Sequence, residues 1–254
     1  MKRLLLLLWI GLILIGSIQA IEPPKTLDFS TLRAIPILEG GRHKPLDTFA
    51  GESMQEITGR WNFEGHDPLA YVLSFMTSED WYQEPIIRVD YLPLKEILGV
   101  DPSIKHLSYA QISSNTHFQE WVQRVSQKID NNVKLSRLEN EVATLYHKLM
   151  LFQEIQHGEA LTLVPPSHES LVAQGLTPEQ MQEAAWFTIE HAHGYSDDTQ
   201  KALQTAFTNL LAAVKSDSNA NFQPNAQQLK EQLAVLNPNL YPPQVDITRE
   251  ISYN

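Results

Sequence analysis

The sequence predicts a mainly α fold with a few short β-strands, a helical bundle carrying a smaller mixed portion. Three observations lead there. Between residues 116 and 240, apolar side chains recur at three- and four-residue spacing over long stretches. Helix starts are written out as Asp67-Pro68 and as the capping box Thr177-Pro178-Glu179-Gln180. The runs that could form strands, 34–38, 86–89 and 160–164, are short and are bounded or broken by proline.

Taken in order, residues 1–20 have Lys2 and Arg3, an apolar run over 4–15, and then Gly16, Ser17, Gln19 and Ala20. That is the layout of a secretory signal peptide cleaved after Ala20, with a retained N-terminal anchor as the alternative if the run is counted on through Ile21. Either reading places the remainder in the periplasm or an equivalent extracytoplasmic space. Residues 21–33 are Pro-containing and unpatterned, and read as a linker. The expected domain covers 34–245, mixed over 34–115 and helical over 116–240, with 246–254 as a tail. Within it, Asp67 caps a helix that carries Leu69, Val72, Leu73 and Met76, and Gly99 closes a short helical turn over 94–98. Phe118, Val122, Val125 and Ile129 form one helical stripe, and Leu135, Leu138, Val142, Leu145, Leu149 and Phe152 form a second. The change of register at Asn131-Asn132 allows either a kinked helix or an antiparallel hairpin, packed on a partner helix of the same chain or of a second copy. Further helices are expected over 177–193, stopping at Gly194, and over 198–214. A flexible loop over 216–221 and a last helix over 224–236 complete the pattern.

Composition narrows the function. The formal net charge is −11, which argues against nucleic acid as a partner and against general attraction to anionic lipid. The chain has no cysteine, so it carries no thiol redox chemistry and no Cys-x-x-Cys-His haem attachment site. No Gly-x-Ser-x-Gly elbow, His-Glu-x-x-His pair or Walker-type Gly-Lys-Ser occurs. His191 and His193 would point about 200° apart on a helix and could not share a metal. The chain is therefore expected to be no enzyme, and to hold no metal or cofactor of its own.

Against this background, Gly40-Gly41-Arg42-His43-Lys44-Pro45-Leu46-Asp47-Thr48-Phe49-Ala50-Gly51-Glu52 stands out as a basic cluster in an acidic chain. The glycine pair permits a sharp reversal, and Pro45 fixes its own φ and extends Lys44. Asp47 reads as the N-cap of a helix over 48–58, with Glu52 favouring the helix dipole, Ala50, Met54, Ile57 and Trp61 as its apolar stripe, and Gly59 as its stop. Arg42, His43 and Lys44 are then expected to project from an anchored loop. The candidate binding residues are Gly41, Arg42, Lys44, Pro45, Asp47 and Thr48.

The segment Ile35-Pro36-Ile37-Leu38-Glu39-Gly40-Gly41-Arg42-His43-Lys44-Pro45-Leu46-Asp47-Thr48-Phe49-Ala50 resembles the opening of the extracytoplasmic region of CcsA/ResB-type (System II) cytochrome c assembly proteins. Gly59-Arg60, Asp67-Pro68, Trp81 and Ala160-Leu161-Thr162-Leu163-Val164-Pro165 extend the resemblance. Arg249-Glu250-Ile251-Ser252-Tyr253-Asn254 looks like the stretch that precedes a membrane helix in those proteins. The resemblance implies a membrane-associated accessory domain acting by protein–protein interaction in haem attachment. Its implied partners are a membrane haem lyase and apocytochrome c. Haem itself would be handled by the partner. Trp61, Trp81, Trp121 and Trp186 are isolated rather than clustered as in the family's haem-handling motif, and the membrane module is not matched, so no haem-ligating role carries over. A domain encoded apart from its membrane partner, or a truncated product, is the implied arrangement. A stand-alone periplasmic protein holding an anionic ligand on Arg42 and Lys44 is the alternative.

Overall fold

The computed structural model describes residues 21–242 and 244–251; the expected leader at 1–20 and the last residues of the expected tail, 252–254, lie outside them. The described chain is mainly helical with two small antiparallel sheets, as the spacing predicts.

Residues 21–29 lead into α1 (Ser30–Arg33) and are not the free linker that composition suggests. Leu27, Phe29 and Leu32 are buried, Phe29 stands edge-on to Phe222 at 5.3 Å, and Asp217 accepts from the Lys25 and Thr26 amides. Their partners come from the far end of the chain, which no local pattern could announce.

The strands β1 (Pro36–Glu39) and β2 (Arg42–Pro45) form a hairpin in the register Ile37↔Lys44, Leu38↔His43, Glu39↔Arg42. Gly40 and Gly41, with φ of +57° and +78°, make a two-residue turn that needs left-handed backbone at both positions. Helix α2 (Leu46–Thr58) follows directly and ends on left-handed Gly59. In α3 (Pro68–Phe75), Asp67 accepts from the Leu69 amide and Pro68 takes the first position, as predicted. A second ribbon pairs β3 (Ile87–Arg88) with β4 (His106–Leu107) around α4 (Leu92–Leu98), and α5 (Tyr109–Ser113) follows.

Of the two arrangements open at Asn131-Asn132, the hairpin is formed. Helices α6 (Thr116–Asp130) and α7 (Arg137–Gln156) are joined through Asn132 at φ +53°, and Lys128 bridges to Glu139 across the turn. After α7 the chain turns over 157–160, and 161–164 build no strand beyond a single bridge. Thr162 accepts from the Leu38 amide, and Val164 pairs with Phe187. Helix α8 (His168–Ala173) precedes α9 (Pro178–Gln182), where the predicted capping box is present but the helix stops well short of 193. The reason is tertiary. Phe187 exchanges both backbone hydrogen bonds with Val164, and Trp186 is buried, so the chain beyond 182 is pulled out of helix.

Helices α10 (Asp197–Lys215) and α11 (Asn219–Ala234) pack against each other. The expected loop over 216–221 shrinks to a turn at Asp217, and α11 starts upstream of Pro224 because Phe222 is buried against Phe29. Residues 246–251 of the stretch read as a tail belong to α12 (Gln244–Ile251), which contacts β2 and buries Ile247. One continuous buried cluster joins the mixed portion, through Leu69, Phe75 and Trp81, to the helical portion, through Phe152, Leu210 and Phe222. At its centre Phe75 lies edge-on to Trp81 at 5.1 Å and to Phe152 at 5.0 Å. No helix among the described residues is long and apolar enough to cross a membrane.

Gly51 in α2 lies against the Trp61 ring, where an added Cβ would come within 1.9 Å of ring carbons. In an open helix Gly51→Ala would stabilise by about 1 kcal/mol through propensity. Here it is expected to destabilise by roughly 1–3 kcal/mol in urea unfolding, through overpacking. Trp61→Ala should relieve that penalty in the double variant. A Gly51→Ala protein as stable as its parent would show that the indole moves aside freely.

Candidate functional site

Three ion-pair groups gather around the start of α2. Arg33, at the end of α1, reaches between two helix starts: one guanidinium nitrogen meets Asp47 in the first turn of α2, and the other meets Asp67, the cap of α3. Both carboxylates also lie at the positive ends of helix dipoles, so the guanidinium closes two favourable anionic positions at once. The Lys44 ammonium donates to Glu39 of β1 and Glu52 of α2, and its side chain is only 8% exposed. Burial by itself would lower the Lys44 pKa, but the hydrogen bonds and charges of the two glutamates outweigh it and hold the group above its ordinary value. Arg42 is different. Its side chain is 58% exposed and donates to Glu250 of α12 at 2.5 Å.

These positions change the sequence reading in two places. Asp47 is not the N-cap. Pro45 is the last extended residue (φ −62°, ψ 148°), Leu46 opens the helix, and no side chain caps it. One position further on, the Asp47 carboxylate turns to Arg33. Nor do Arg42, His43 and Lys44 project from a loop, since all three belong to β2. Lys44 faces inward onto carboxylates, so its role lies inside the fold. Gly41 supplies the hairpin turn, Pro45 leads into α2, with the Leu46 amide donating to Ile35 O at 2.8 Å, and Thr48 is buried in the first helical turn. The structure thus brings all six candidate residues to one corner but leaves only Arg42 among the charged ones open to solvent.

His43 adds a feature the sequence did not mark. Its ring lies 5.0 Å from that of Trp186, which in turn stacks on Tyr241 at 5.9 Å. Burial pushes the His43 pKa down and the Tyr241 pKa up. Arg33 and Glu39 were also missed. Arg33 fell in the stretch taken for linker, and only the fold brings it to carboxylates 14 and 34 residues away. His191 and His193 do not sit on a helix; their rings are 6.0 Å apart, and His191 Nδ1 lies 3.0 Å from Thr188 Oγ1. Among the described residues, no group of three or more His, Asp or Glu is arranged to hold a metal ion.

Compared with models of known families and with curated proteins, the chain matches none.

The corner presents an ion-paired surface on which the Arg42 guanidinium, paired with Glu250, is more than half exposed. Arg42→Ala is expected to change stability by less than about 0.5 kcal/mol, because an exposed pair contributes little. Arg33→Ala, which strands Asp47 and Asp67, should cost roughly 2 kcal/mol, less than a fully buried pair because the guanidinium side chain is 33% exposed. Equal effects of the two substitutions in chemical denaturation would remove Arg33 from its central place. A pH series tests Lys44. Because its folded pKa is raised, the stability it contributes is complete below the unfolded value of about 10.4 and is lost as pH rises through the folded value. The Tm difference between the wild type and Lys44→Met should thus be constant at neutral pH and shrink above about pH 10.5. A difference that is flat to high pH would contradict the raised value.

Proposed function

We infer that this chain is an accessory, non-catalytic extracytoplasmic domain of cytochrome c maturation. It holds or positions a partner during haem attachment, through contacts with a membrane haem-lyase component or with apocytochrome c. One observation carries the reading. The residues through which the sequence resembles System II assembly proteins, 35–50, fall on a single corner, where the hairpin, the start of α2 and the C-terminal α12 meet. A segment that resembles an assembly family and folds as one ion-paired unit suits a role in presenting a surface. Haem would be handled by the partner, and the acidic balance of the chain disfavours nucleic acid.

The stand-alone anion-binding alternative needs Arg42 and Lys44 to act together. With Lys44 enclosed by Glu39 and Glu52, that pair loses one of its two charges, and the docking reading is the stronger.

The test is recovery of partners from membranes carrying the full tagged chain, beside the yield of holocytochrome c. A polytopic haem-lyase component should co-purify with it. Arg42→Glu, a surface change, should reduce both that recovery and holocytochrome yield several-fold while Tm stays near the parent value. Recovery of no such component, with holocytochrome yield unaffected by deletion of the gene, would reject the assembly role. Loss of the gene but not of Arg42 affecting yield would move recognition away from this corner.

A further inference from the structure

The fold divides the apolar stripe of α6. Phe118 and Val125 are buried, whereas Val122 is half-buried and Ile129 is 52% exposed. Val122, Ser126 and Ile129 follow one another at four and three residues, and on α7 Ala143, Tyr146 and Met150 follow at three and four. Both helices thus carry a second stripe at coiled-coil spacing, beside the one that faces the core.

Two hollows, of about 470 and about 280 Å³, run along these stripes. Val122, Ser126, Tyr146 and Met150 line both, Phe118 lines only the larger, and Ile129 only the smaller. Tyr146 therefore stands between the hollows, and it is 44% exposed. Among the described residues no Asp, Glu, Lys or Arg lines either hollow, although the chain has a net charge of −11. His147, at the smaller hollow, lies with Nδ1 2.6 Å from Glu56 of α2.

These features select the occupant. A partner recognised by charge would need charged groups in the lining and finds none. Two copies of so acidic a chain repel wherever their acidic surfaces meet, and least across a face whose lining is free of acids. A projecting ring beside a hollow is also complementary to itself, because a twofold axis between the two sets each ring over the hollow of the other copy. We propose that this face docks a second copy of the chain, the two α6–α7 hairpins closing into an antiparallel four-helix contact with Tyr146 of each copy in a hollow of the other.

The available area sets the strength. Helices of 15 and 20 residues share a length of about 22 Å, and two of them side by side are about 20 Å wide, so two copies cover roughly 900 Å² in all before corrugation is counted. That is the lower end of specific interfaces, and the dimer is a weak one, forming at micromolar concentration or above. None of the candidate residues of the β1–β2 corner lines either hollow, so the inference does not depend on the assembly role.

The experiment is sedimentation equilibrium of the purified full chain over a concentration series. Monomer should pass to dimer as concentration rises. Tyr146→Glu and Ile129→Glu, both at exposed positions, should each weaken association roughly tenfold or more while Tm stays near the parent value. Tyr146→Phe, which keeps the ring, should still associate. Arg42→Glu should leave association unchanged, so that a failed dimer and a failed assembly role are told apart. A chain that stays monomeric at the highest concentration, or a dimer insensitive to both glutamate substitutions, would overturn the proposal. A monomer whose Tyr146 and Met150 NMR signals shift saturably with cyclohexane would overturn it in favour of a small apolar ligand, and a monomer captured by phosphatidylcholine vesicles through this face in favour of a membrane.

Discussion

A guanidinium between two helix starts fixes the relation of α1, α2 and α3. Asp47 and Asp67 each lie where a helix exposes unpaired amides, and each would be stable there alone. Bringing both helices to one place would set the two carboxylates against each other without Arg33 between them. Because Arg33 ends α1, the same contact also anchors the strap 21–29, whose Phe29 reaches Phe222 on α11. The hairpin then has a defined seat. Leu46 follows Pro45 directly into α2, and Lys44 locks the strand to that helix through Glu39 and Glu52.

Much of this was legible where the determinant is local. Asp67-Pro68, Thr177-Pro178-Glu179-Gln180, Gly59 and Gly99 act within one helical turn, and each does what its chemistry predicts. The glycine pair at 40–41 demanded a tight reversal and makes one. What stayed hidden depends on partners far along the chain. The apolar residues of 183–193 fit a helix by propensity, yet pairing with Val164 draws Phe187 into an extended bridge. Asp47 misled for a subtler reason. A carboxylate two residues after proline satisfies the rules for a cap and for a first-turn residue alike, and the backbone at Pro45 decides between them. Arg33 carried no signal, because a lone arginine before a motif looks the same whether it is solvated or central.

Charge placement follows one logic across the molecule. In a chain of net charge −11, cations are scarce, and several are placed where they neutralise more than one carboxylate or tie distant elements together. Arg33 serves two aspartates and Lys44 two glutamates, while Lys128 holds Glu139 at the α6–α7 turn. The Glu139 carboxylate, bound by Lys128 and by the Ser136 amide and hydroxyl, is held down to a pKa of about 2. Such residues cannot be lent to a partner, because withdrawing the cation would leave acidic groups facing one another.

That constraint decides what kind of recognition the hairpin corner can support. Once Lys44 and Arg33 are committed inward, Arg42 is the exposed cation of the motif, and it already shares Glu250. A single exposed ion pair contributes at most about 1 kcal/mol, too little to hold a partner. A partner docked here as proposed would have to be held by surface buried by shape, on the order of 1,200–2,000 Å² for a stable complex, with Arg42 at most setting orientation. Ion pairs that tie the hairpin to α2 suit that requirement, since side chains already held in place lose less conformational entropy when a partner seats on them. The proposed docking role would draw on the same packing that encloses these ion pairs.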